Sequence, residues 1–525
     1  MLAILSAILQ VVIFPLPNLY VLSWIAVAPL LVAILRARRP QTLQLQGAEK
    51  LVPARPMQGF LLGYVTGILW YCGNCYWISS TMKQYGGINP LGAAGLLFLF
   101  ALYLGLYHGL FGLAISWLAR GESGIRNALV LSPFVWVAVE LARTRITGFP
   151  WDLLGITQVD NIPLARITTV TGVYGVSLEI MIVNAAFAAA FVIRRKRRSL
   201  LLAALIATLV LQAARWIPAP VVPSDRTALL VQENIPVLDS ADWTTQYFAD
   251  TMTDLTRLSL TPPDKSPPSP ALIVWPESPA PFYSGDSLFR TAVSQIAENA
   301  QSWMVVGNVG VENAMMSAQH TTQIFNSATL VAPNGEWGAR YDKIHLVPFG
   351  EYVPFKQLFF FAGGLTKEVG DFSRGTSREP LPAGDQKLGV FICYESIFPD
   401  DIRQFADNGA QVFVNISNDG WYGDSGAYAQ HLKQARMRAV ENARWLLRDT
   451  NTGLTASIDP YGRVVASSPR KMRNVLEAPY ALSTETTFYT RHGDWLAYAC
   501  AIISLGAVLF SFAAVSGKSK GKEKA

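Results

Sequence analysis

The stretch that decides the fold is LGVFICYE at residues 388–395, where an apolar run ends at Cys393 and is followed by Tyr394 and Glu395. A short apolar run of this kind is typical of a buried β-strand. A cysteine after such a strand is commonly a small buried hydrophobe. Here, however, the thiol falls at the end of the strand, where a side chain is presented to a pocket. We therefore take Cys393 as a candidate nucleophile.

Two other segments place reactive side chains in similar positions. Residues 272–277 read LIVWPE, and Pro276 ends strand pairing just before Glu277. Residues 341–351 read YDKIHLVPFGE and contain Lys343. Considered alone, Glu277 would be expected to be a solvent-exposed carboxylate at a strand end. Considered alone, Lys343 would be expected to extend its charged end to the surface.

Taken together, the three residues match the needs of acyl transfer through a thioester. A thiol is mostly protonated near neutral pH, so it needs a base or a cationic neighbour. Glu277 can move the proton, Lys343 can stabilise an oxyanion, and Cys393 can carry the acyl group. The sequence predicts that these three side chains meet.

The region around them has the pattern of an α/β domain. From residue 226 to 484, short apolar strands alternate with turn residues and with helical stretches such as 286–300 and 427–447. Asn334 and Gly335 predict a hairpin turn. Strands that alternate with helices indicate a layered α/β fold.

The rest of the chain has the composition of a membrane protein. Of 525 residues, 51% are hydrophobic and 15% are charged, whereas soluble domains carry about 25% charged residues. A membrane-spanning helix needs about 20 mostly apolar residues. The candidate spans are 1–15, 18–35, 58–80, 91–118, 127–144, 168–193, 199–217 and 495–515. A cleaved signal peptide is the alternative for the first span, but it lacks a basic start and a small-residue cleavage site.

These spans predict four regions. Residues 1–217 form a membrane domain with seven helices, and residues 226–484 form the catalytic domain. Residues 495–515 form a C-terminal span, and residues 516–525 form a basic tail.

The basic residues predict the orientation of these spans. They cluster in alternate connections: Arg36, Arg38, Arg39, Lys50 and Arg55; Arg120 and Arg126; Arg194, Arg195, Lys196, Arg197 and Arg198; Lys518, Lys520, Lys522 and Lys524. Basic loops stay in the cytoplasm, so both termini are expected there. The catalytic domain is then expected on the periplasmic side of a bacterial inner membrane. The net charge of +6 reflects these clusters rather than a nucleic-acid surface.

Two aromatic segments are candidates for contact with lipid. Residues 355–364 read FKQLFFFAGG and contain Phe355, Phe359, Phe360 and Phe361. Exposed apolar clusters mark interaction sites, so we expect a lid that dips into the outer leaflet. A buried helix start is the alternative. Trp151, in GFPW at residues 148–151, is either a substrate contact or an aromatic anchor at the interface.

Other chemistries have weaker support. GDSG at residues 423–426 suggests a serine protease, but the sequence offers no suitably placed histidine and aspartate. Cys72 and Cys75 lack two further metal ligands nearby. A transporter is a third class, but the spans contain few ionisable residues, and Glu140, Arg143 and Glu179 are the main exceptions. Glu140 and Arg143 sit one turn apart and can pair with each other.

The motifs WPE at 275–277, YDK at 341–343 and CYE at 393–395 resemble those of the nitrilase superfamily. With GFPW, the predicted spans and KIHLVPFGEYVPF at 343–355, the chain resembles its membrane-bound apolipoprotein N-acyltransferase family. The resemblance implies an αββα sandwich, with Glu277 as general base, Lys343 as oxyanion stabiliser and Cys393 as nucleophile. It also implies supporting roles for four more residues: Glu351, Tyr394, Glu395 and Trp243.

The resemblance further implies the substrates. The donor would be a phospholipid, typically phosphatidylethanolamine, and the acceptor the free α-amine of a diacylglyceryl-cysteine at a lipoprotein N-terminus. We expect no cofactor and a monomeric protein. A membrane-tethered amidase acting on small amides is the alternative function. Glu233 stands where this family usually has glycine, which puts the local backbone geometry in question.

Overall fold

The computed structural model describes residues 1–37, 52–120, 123–237, 243–260, 270–278, 280, 282–316, 319–348, 350–352 and 372–522. Its contacts divide the chain into two compact units. The helical unit comprises Met1–Ser80, Asn89–Pro218 and His492–Ala525. The sandwich unit comprises Thr81–Ile88 and Ala219–Arg491.

The α-helices are numbered along the chain. They are α1 (Leu2–Val12), α2 (Ala28–Leu35), α3 (Pro56–Asn74), α4 (Trp77–Gln84), α5 (Pro90–Leu118), α6 (Gly124–Ala142), α7 (Ile162–Ala165), α8 (Thr168–Thr171), α9 (Val173–Val192), α10 (Arg197–Ala213), α11 (Thr245–Leu260), α12 (Ser287–Ala300), α13 (Pro399–Asp407), α14 (Ala427–Asn442), α15 (Phe488–His492) and α16 (Trp495–Lys522). A π-helix, Arg143–Thr147, continues α6.

The helical unit has the character of a membrane domain. Among the described residues, five helices are long and apolar enough to cross a membrane: Pro90–Leu118, Gly124–Thr147, Val173–Val192, Arg197–Trp216 and Trp495–Ala513. Two further apolar segments, Leu2–Val12 and Tyr20–Leu35, are shorter. The second candidate span is not one helix, because Tyr20–Trp24 is a 3₁₀ helix that precedes α2.

Glycines let α3 and α5 pack closely. A Cβ added at Gly63 would lie 2.0 Å from the backbone oxygen of His108, and one added at Gly112 would lie 2.1 Å from that of Gly59. Small residues at such spacing are typical of helix pairs in membranes, where close backbone approach replaces hydrophobic driving force.

The strands all belong to the sandwich unit. They are β1 (Arg226–Gln232), β2 (Leu272–Val274), β3 (Trp303–Met316), β4 (Gln319–Val331), β5 (Trp337–Asp342), β6 (Leu381–Ala383), β7 (Gln386–Ile392), β8 (Val412–Ser417), β9 (Leu446–Thr450), β10 (Ala456–Ile458), β11 (Val464–Ser467) and β12 (Asn474–Tyr480).

In the described part of the unit, these strands form two six-stranded sheets. The orders are β12-β1-β2-β3-β4-β5 and β11-β10-β9-β8-β7-β6. The three central strands of each sheet are parallel, with Leu230 opposite Val274 in one and Val390 opposite Val414 in the other. Parallel strands are buried on both faces, which explains their continuous apolar runs.

The core of the first sheet lies under α11 and α12. Ile273 and Met304 pack there with Leu255 of α11 and Val293 of α12. The predicted layered sandwich and membrane domain are thus both confirmed. The hairpin is also present, and Gly335 supplies its positive φ of 77°.

One predicted boundary is wrong. The helix expected over 427–447 ends at Asn442, because Ala443 adopts a left-handed conformation with φ of 50°. The apolar residues that follow begin β9 instead of continuing the helix.

Candidate active site

Three strand ends bring the reactive residues together. Glu277 follows β2, Lys343 follows β5 directly, and Cys393 follows β7 directly. The Lys343 Nζ lies 3.0 Å from Glu277 Oε1 and 2.9 Å from Glu351 Oε1. The Cys393 thiol lies within electrostatic range of Glu277 and Lys343. The three side chains that the sequence suggested therefore share one buried site.

An amide that the sequence did not reveal joins the same cluster. Asn326 of β4 donates from its Nδ2 to Glu277 Oε1 and to Glu351 Oε1, both at 2.7 Å. Asn326 and Lys343 thus both bridge the two carboxylates. No pattern around residue 326 distinguishes this amide from any other polar residue in a strand.

Glu277 is held at both of its oxygens. Oε1 accepts from Asn326 and Lys343, and Oε2 accepts the backbone N–H of Asn418 at 2.7 Å. Burial opposes ionisation, but Lys343 and these donors hold the pKa of Glu277 below its ordinary value. The carboxylate is therefore ionised and fixed in orientation at neutral pH.

Lys343 is a buried cation. Burial disfavours its charge, but Glu277 and Glu351 raise the pKa of Lys343 well above its ordinary value. In the described contacts, two of its three N–H groups point at these carboxylates. The remaining N–H can face a developing negative charge.

Cys393 is protonated at rest. Burial and the nearby Glu277 carboxylate raise the pKa of the Cys393 thiol far above its ordinary value, although Lys343 opposes them. The residue begins a 3₁₀ helix, Cys393–Ile397, and has a φ of 50°. A thiol of this kind needs an adjacent base to become nucleophilic.

Glu395 ties the lysine loop to the cysteine loop. Its Oε1 accepts the backbone N–H groups of Ile344 at 2.7 Å and His345 at 3.1 Å, and its Oε2 accepts that of Ile392 at 2.7 Å. The Tyr341 hydroxyl donates to both oxygens. Burial raises the pKa of Glu395 even so. Glu395 orients the loops and does not face the reacting groups in these contacts.

The other predicted residues lie in different settings. Glu351 is part of the cluster, and its Oε2 accepts the Val347 N–H at 2.8 Å. The Tyr394 ring packs edge-on against Phe398 at 5.3 Å. Trp243 packs edge-on against Tyr247 at 5.0 Å on the helical side of the first sheet.

The lipid-contact predictions remain predictions. Phe355, Phe359, Phe360 and Phe361 lie outside the described residues. Trp151 is fully buried in the helical unit, with its ring 4.9 Å from Trp77 and 6.1 Å from Phe149. Packing accounts for this tryptophan without any direct contact with lipid.

The serine protease site and the metal site that the sequence also suggested have no matching arrangement among the described residues. The Ser425 hydroxyl donates to the backbone oxygen of Tyr422 at 2.7 Å, in a loop before α14. His345 Nε2 lies 2.8 Å from Asp401 and its ring stacks on Phe398. Over the described ranges, no group of three or more histidine, cysteine, aspartate or glutamate side chains is arranged to hold a metal ion.

Comparisons with known proteins match both parts of the chain. Residues 264–488 match the carbon-nitrogen hydrolase family, and residues 6–186 match the apolipoprotein N-acyltransferase N-terminal domain. Among solved structures, an amidase from Nesterenkonia sp. is 18% identical and covers 54% of this chain and 98% of its own, with a TM-score of 0.37.

Curated relatives match nearly the whole chain. The apolipoprotein N-acyltransferase of Geobacter metallireducens is 35% identical over 511 residues, which is 95% of this chain and 92% of the relative. That of Methylococcus capsulatus is 34% identical and covers 84% of this chain and 85% of its own. Both the helical unit and the sandwich unit are included in these matches. The chain therefore belongs to the apolipoprotein N-acyltransferase family.

Proposed function

We propose that this protein transfers a fatty acyl chain from a phospholipid to the N-terminal amine of a diacylglyceryl-cysteine in apolipoproteins, through a thioester on Cys393. The observation that carries the proposal is the buried cluster in which Lys343 contacts Glu277 and Glu351 beside the Cys393 thiol. This arrangement provides a base, a cation and a nucleophile in one water-poor site. The family membership supplies the substrate class.

The first half-reaction loads the cysteine. The Cys393 Sγ attacks the ester carbonyl of the phospholipid while its proton passes to Glu277. Lys343 stabilises the oxyanion as the tetrahedral intermediate forms. The intermediate collapses, the glycerol oxygen leaves with the proton from Glu277, and lysophospholipid departs. Burial and the Glu277 carboxylate raise the pKa of the thiol, so the attack depends on Glu277 to take the proton.

The second half-reaction uses the same groups in reverse. The α-amine of the lipoprotein attacks the thioester carbonyl and gives its proton to Glu277. The C–S bond breaks, and Sγ leaves next to the Lys343 cation and takes back a proton from Glu277. The product is an amide, and the thiol is restored. The order of release and binding makes this a ping-pong mechanism.

We also propose that the sandwich unit faces the periplasm and that the basic loops face the cytoplasm. The distribution of lysine and arginine among the connections supports this orientation. Phosphatidylethanolamine as preferred donor and a monomeric state belong to the same proposal.

The test is a two-step assay with purified protein. The protein is first incubated with phosphatidylethanolamine alone, and an acyl adduct on Cys393 is sought by mass spectrometry. A synthetic diacylglyceryl peptide with a free N-terminus is then added. We expect the adduct to disappear as N-acylated peptide forms. Cys393→Ala should form no adduct, whereas the matched control Cys72→Ala should behave as the wild type.

Two outcomes would contradict the proposal. An adduct that persists in Cys393→Ala would remove this residue from the mechanism. Release of free fatty acid or turnover of small amides, with no N-acylated peptide, would instead support the membrane-tethered amidase.

A further inference from the structure

Cys393 has a backbone conformation that its neighbours must hold. Its φ of 50° lies in the left-handed region, which costs a residue with a side chain about 1–3 kcal/mol. On its N-terminal side, the Ile392 N–H donates to Glu395 Oε2 at 2.7 Å. On its C-terminal side, the Cys393 carbonyl oxygen lies 3.0 Å from His431 Nε2. Glu395 thus holds the residue before Cys393, and His431 holds the carbonyl of Cys393 itself.

His431 reaches this carbonyl from α14, and no solvent reaches its side chain. Its other nitrogen, Nδ1, lies 3.1 Å from Arg448 Nη2 and 3.0 Å from Asp419 Oδ1. Arg448 of β9 also donates to both oxygens of Asp419, at 3.1 and 2.9 Å. Asp419 lies two residues after the end of β8. The network therefore links β8, which pairs with β7, to β9 on the other side of β8.

The protonation of His431 follows from these contacts. A carbonyl oxygen only accepts, so Nε2 must carry a proton to bond with it. Burial and the Arg448 cation lower the pKa of His431, although Asp419 opposes them. Nδ1 lies within hydrogen-bond distance of both Arg448 Nη2 and Asp419 Oδ1. These two contacts hold the ring in the orientation that points Nε2 at the Cys393 carbonyl oxygen.

We propose that His431 is a positioning residue for the nucleophile. Its Nε2–H holds the Cys393 carbonyl, and this keeps the strained backbone in place so that Sγ faces Glu277 and Lys343. Arg448 and Asp419 hold the imidazole in turn. The inference rests on the proposed role of Cys393 and adds a group that acts through the backbone of the nucleophile.

The key variants are His431→Gln and His431→Asn. The amide nitrogen of glutamine reaches the place of Nε2, whereas that of asparagine reaches only the place of Nδ1. Glutamine and asparagine are both polar and similar in size. The two variants therefore differ mainly in whether they can donate a hydrogen bond to the Cys393 carbonyl oxygen. His492→Gln, at an exposed histidine, is the matched control for the substitution itself.

The assay uses p-nitrophenyl acetate, which acylates a thiol without requiring phospholipid. The burst of p-nitrophenol gives the rate constant of acylation and its half-saturating ester concentration, and peptide mass spectrometry locates the acetyl group on Cys393. We expect His431→Asn to lower the rate constant about 100-fold, because small misplacement of a reacting atom has effects of that size. His431→Gln should remain within about tenfold of wild type, and half-saturation should change little in either variant.

Equal rate constants for the two variants would overturn the inference, whether both are fast or both are slow. A loss that appears only in half-saturation would overturn it as well. The ester also separates this inference from the proposed function. Wild-type protein that is acetylated on Cys393 but takes no acyl group from phosphatidylethanolamine would refute the donor, while the contrast between glutamine and asparagine would still decide the role of His431.

Discussion

Single residues set the charge of the reacting groups, and Asn326 is the clearest example. Its amide donates to Glu277 and to Glu351, both at 2.7 Å. These two hydrogen bonds help to offset the repulsion between the two buried carboxylates. The depressed pKa of Glu277 depends on this donor as well as on Lys343.

Asn326→Leu should raise the pKa of Glu277, because burial is then opposed by fewer donors. Since the ionised carboxylate is the active base, the acid limb of the pH–rate profile should move to higher pH. The rate at pH 7 should fall about 10- to 100-fold, the effect of losing about 1.5–3 kcal/mol from a hydrogen bond to a charged group. The profile of Cys393 acylation measures both effects.

Asn408→Leu, at an exposed asparagine, serves as the control for this experiment. An acid limb that does not move in Asn326→Leu would show that Lys343 and the Asn418 N–H hold the pKa of Glu277 down without Asn326.

Glu233 is a buried acid, and its Oε2 lacks a hydrogen-bond partner among the described residues. Burial and the neighbouring Asp449 raise the pKa of Glu233 well above its ordinary value, although Arg473 opposes them. A folded-state pKa above the unfolded one gives stability that is complete below the unfolded value and is lost as pH rises to the folded value.

Glu233→Gln should therefore raise the melting temperature at pH 8 and change it little at pH 4. The gain at pH 8 should be about 1.4 kcal/mol for each pH unit between the two pKa values of Glu233. Glu298→Gln, at an exposed position of α12, should show no such difference between the two pH values. A gain that is equal at pH 4 and pH 8 would mean that ionisation of Glu233 is not the cause.

The sequence suggested Glu277 and Cys393 because each follows an apolar strand, and Lys343 because it lies beside the mostly apolar residues 344–349. It could not identify Asn326, Asn418 or His431 for physical reasons. Asn326 lies inside a strand and not at its end, and Asn418 acts through its backbone N–H, which every residue except proline has. His431 lies in a helix far along the chain from Cys393, and only the fold brings the two together.

At the scale of elements, the junction between α14 and β9 shows where sequence pattern fails. The helical pattern continues past Asn442, but the chain turns at Ala443 with φ of 50°. The turn lets Leu446–Thr450 join the second sheet and brings Arg448 to His431. Apolar periodicity cannot predict a left-handed residue that lacks the usual glycine or asparagine.

Ala443→Gly should stabilise the protein. The left-handed conformation costs an alanine roughly 1–2 kcal/mol, part of which is offset by the greater freedom of glycine in the unfolded chain. The expected gain in the free energy of unfolding is about 0.5–1 kcal/mol, measured by thermal unfolding in detergent. Ala429→Gly, inside α14, should instead destabilise by about 1 kcal/mol. Losses in both variants would argue against the left-handed turn.

At the scale of the whole molecule, the described chain divides into a helical unit and a sandwich unit. The distribution of apolar residues along the sequence already separated these two parts. The charged fraction of 15% is an average over the very apolar segments 1–217 and 495–515 and the ordinary segment 226–484. The number of spans was harder to predict, since a 3₁₀ helix precedes α2 in the second candidate and α3 is less apolar than α5.

The proposed orientation can be tested with introduced cysteines. Ser287→Cys, exposed at the start of α12, should react with a membrane-impermeant maleimide in intact spheroplasts. Ser199→Cys, exposed next to the basic residues 194–198, should react only after the membrane is permeabilised. Peptide mass spectrometry assigns each label to its site. The reverse pattern would place the sandwich unit in the cytoplasm.

The anchoring of Glu277 has a consequence for turnover. Three donors fix both oxygens of Glu277, so the carboxylate keeps one orientation. The acyl donor and the acceptor must therefore use the same space next to it. In the proposed mechanism, the lysophospholipid must therefore leave before the lipoprotein amine can reach Glu277.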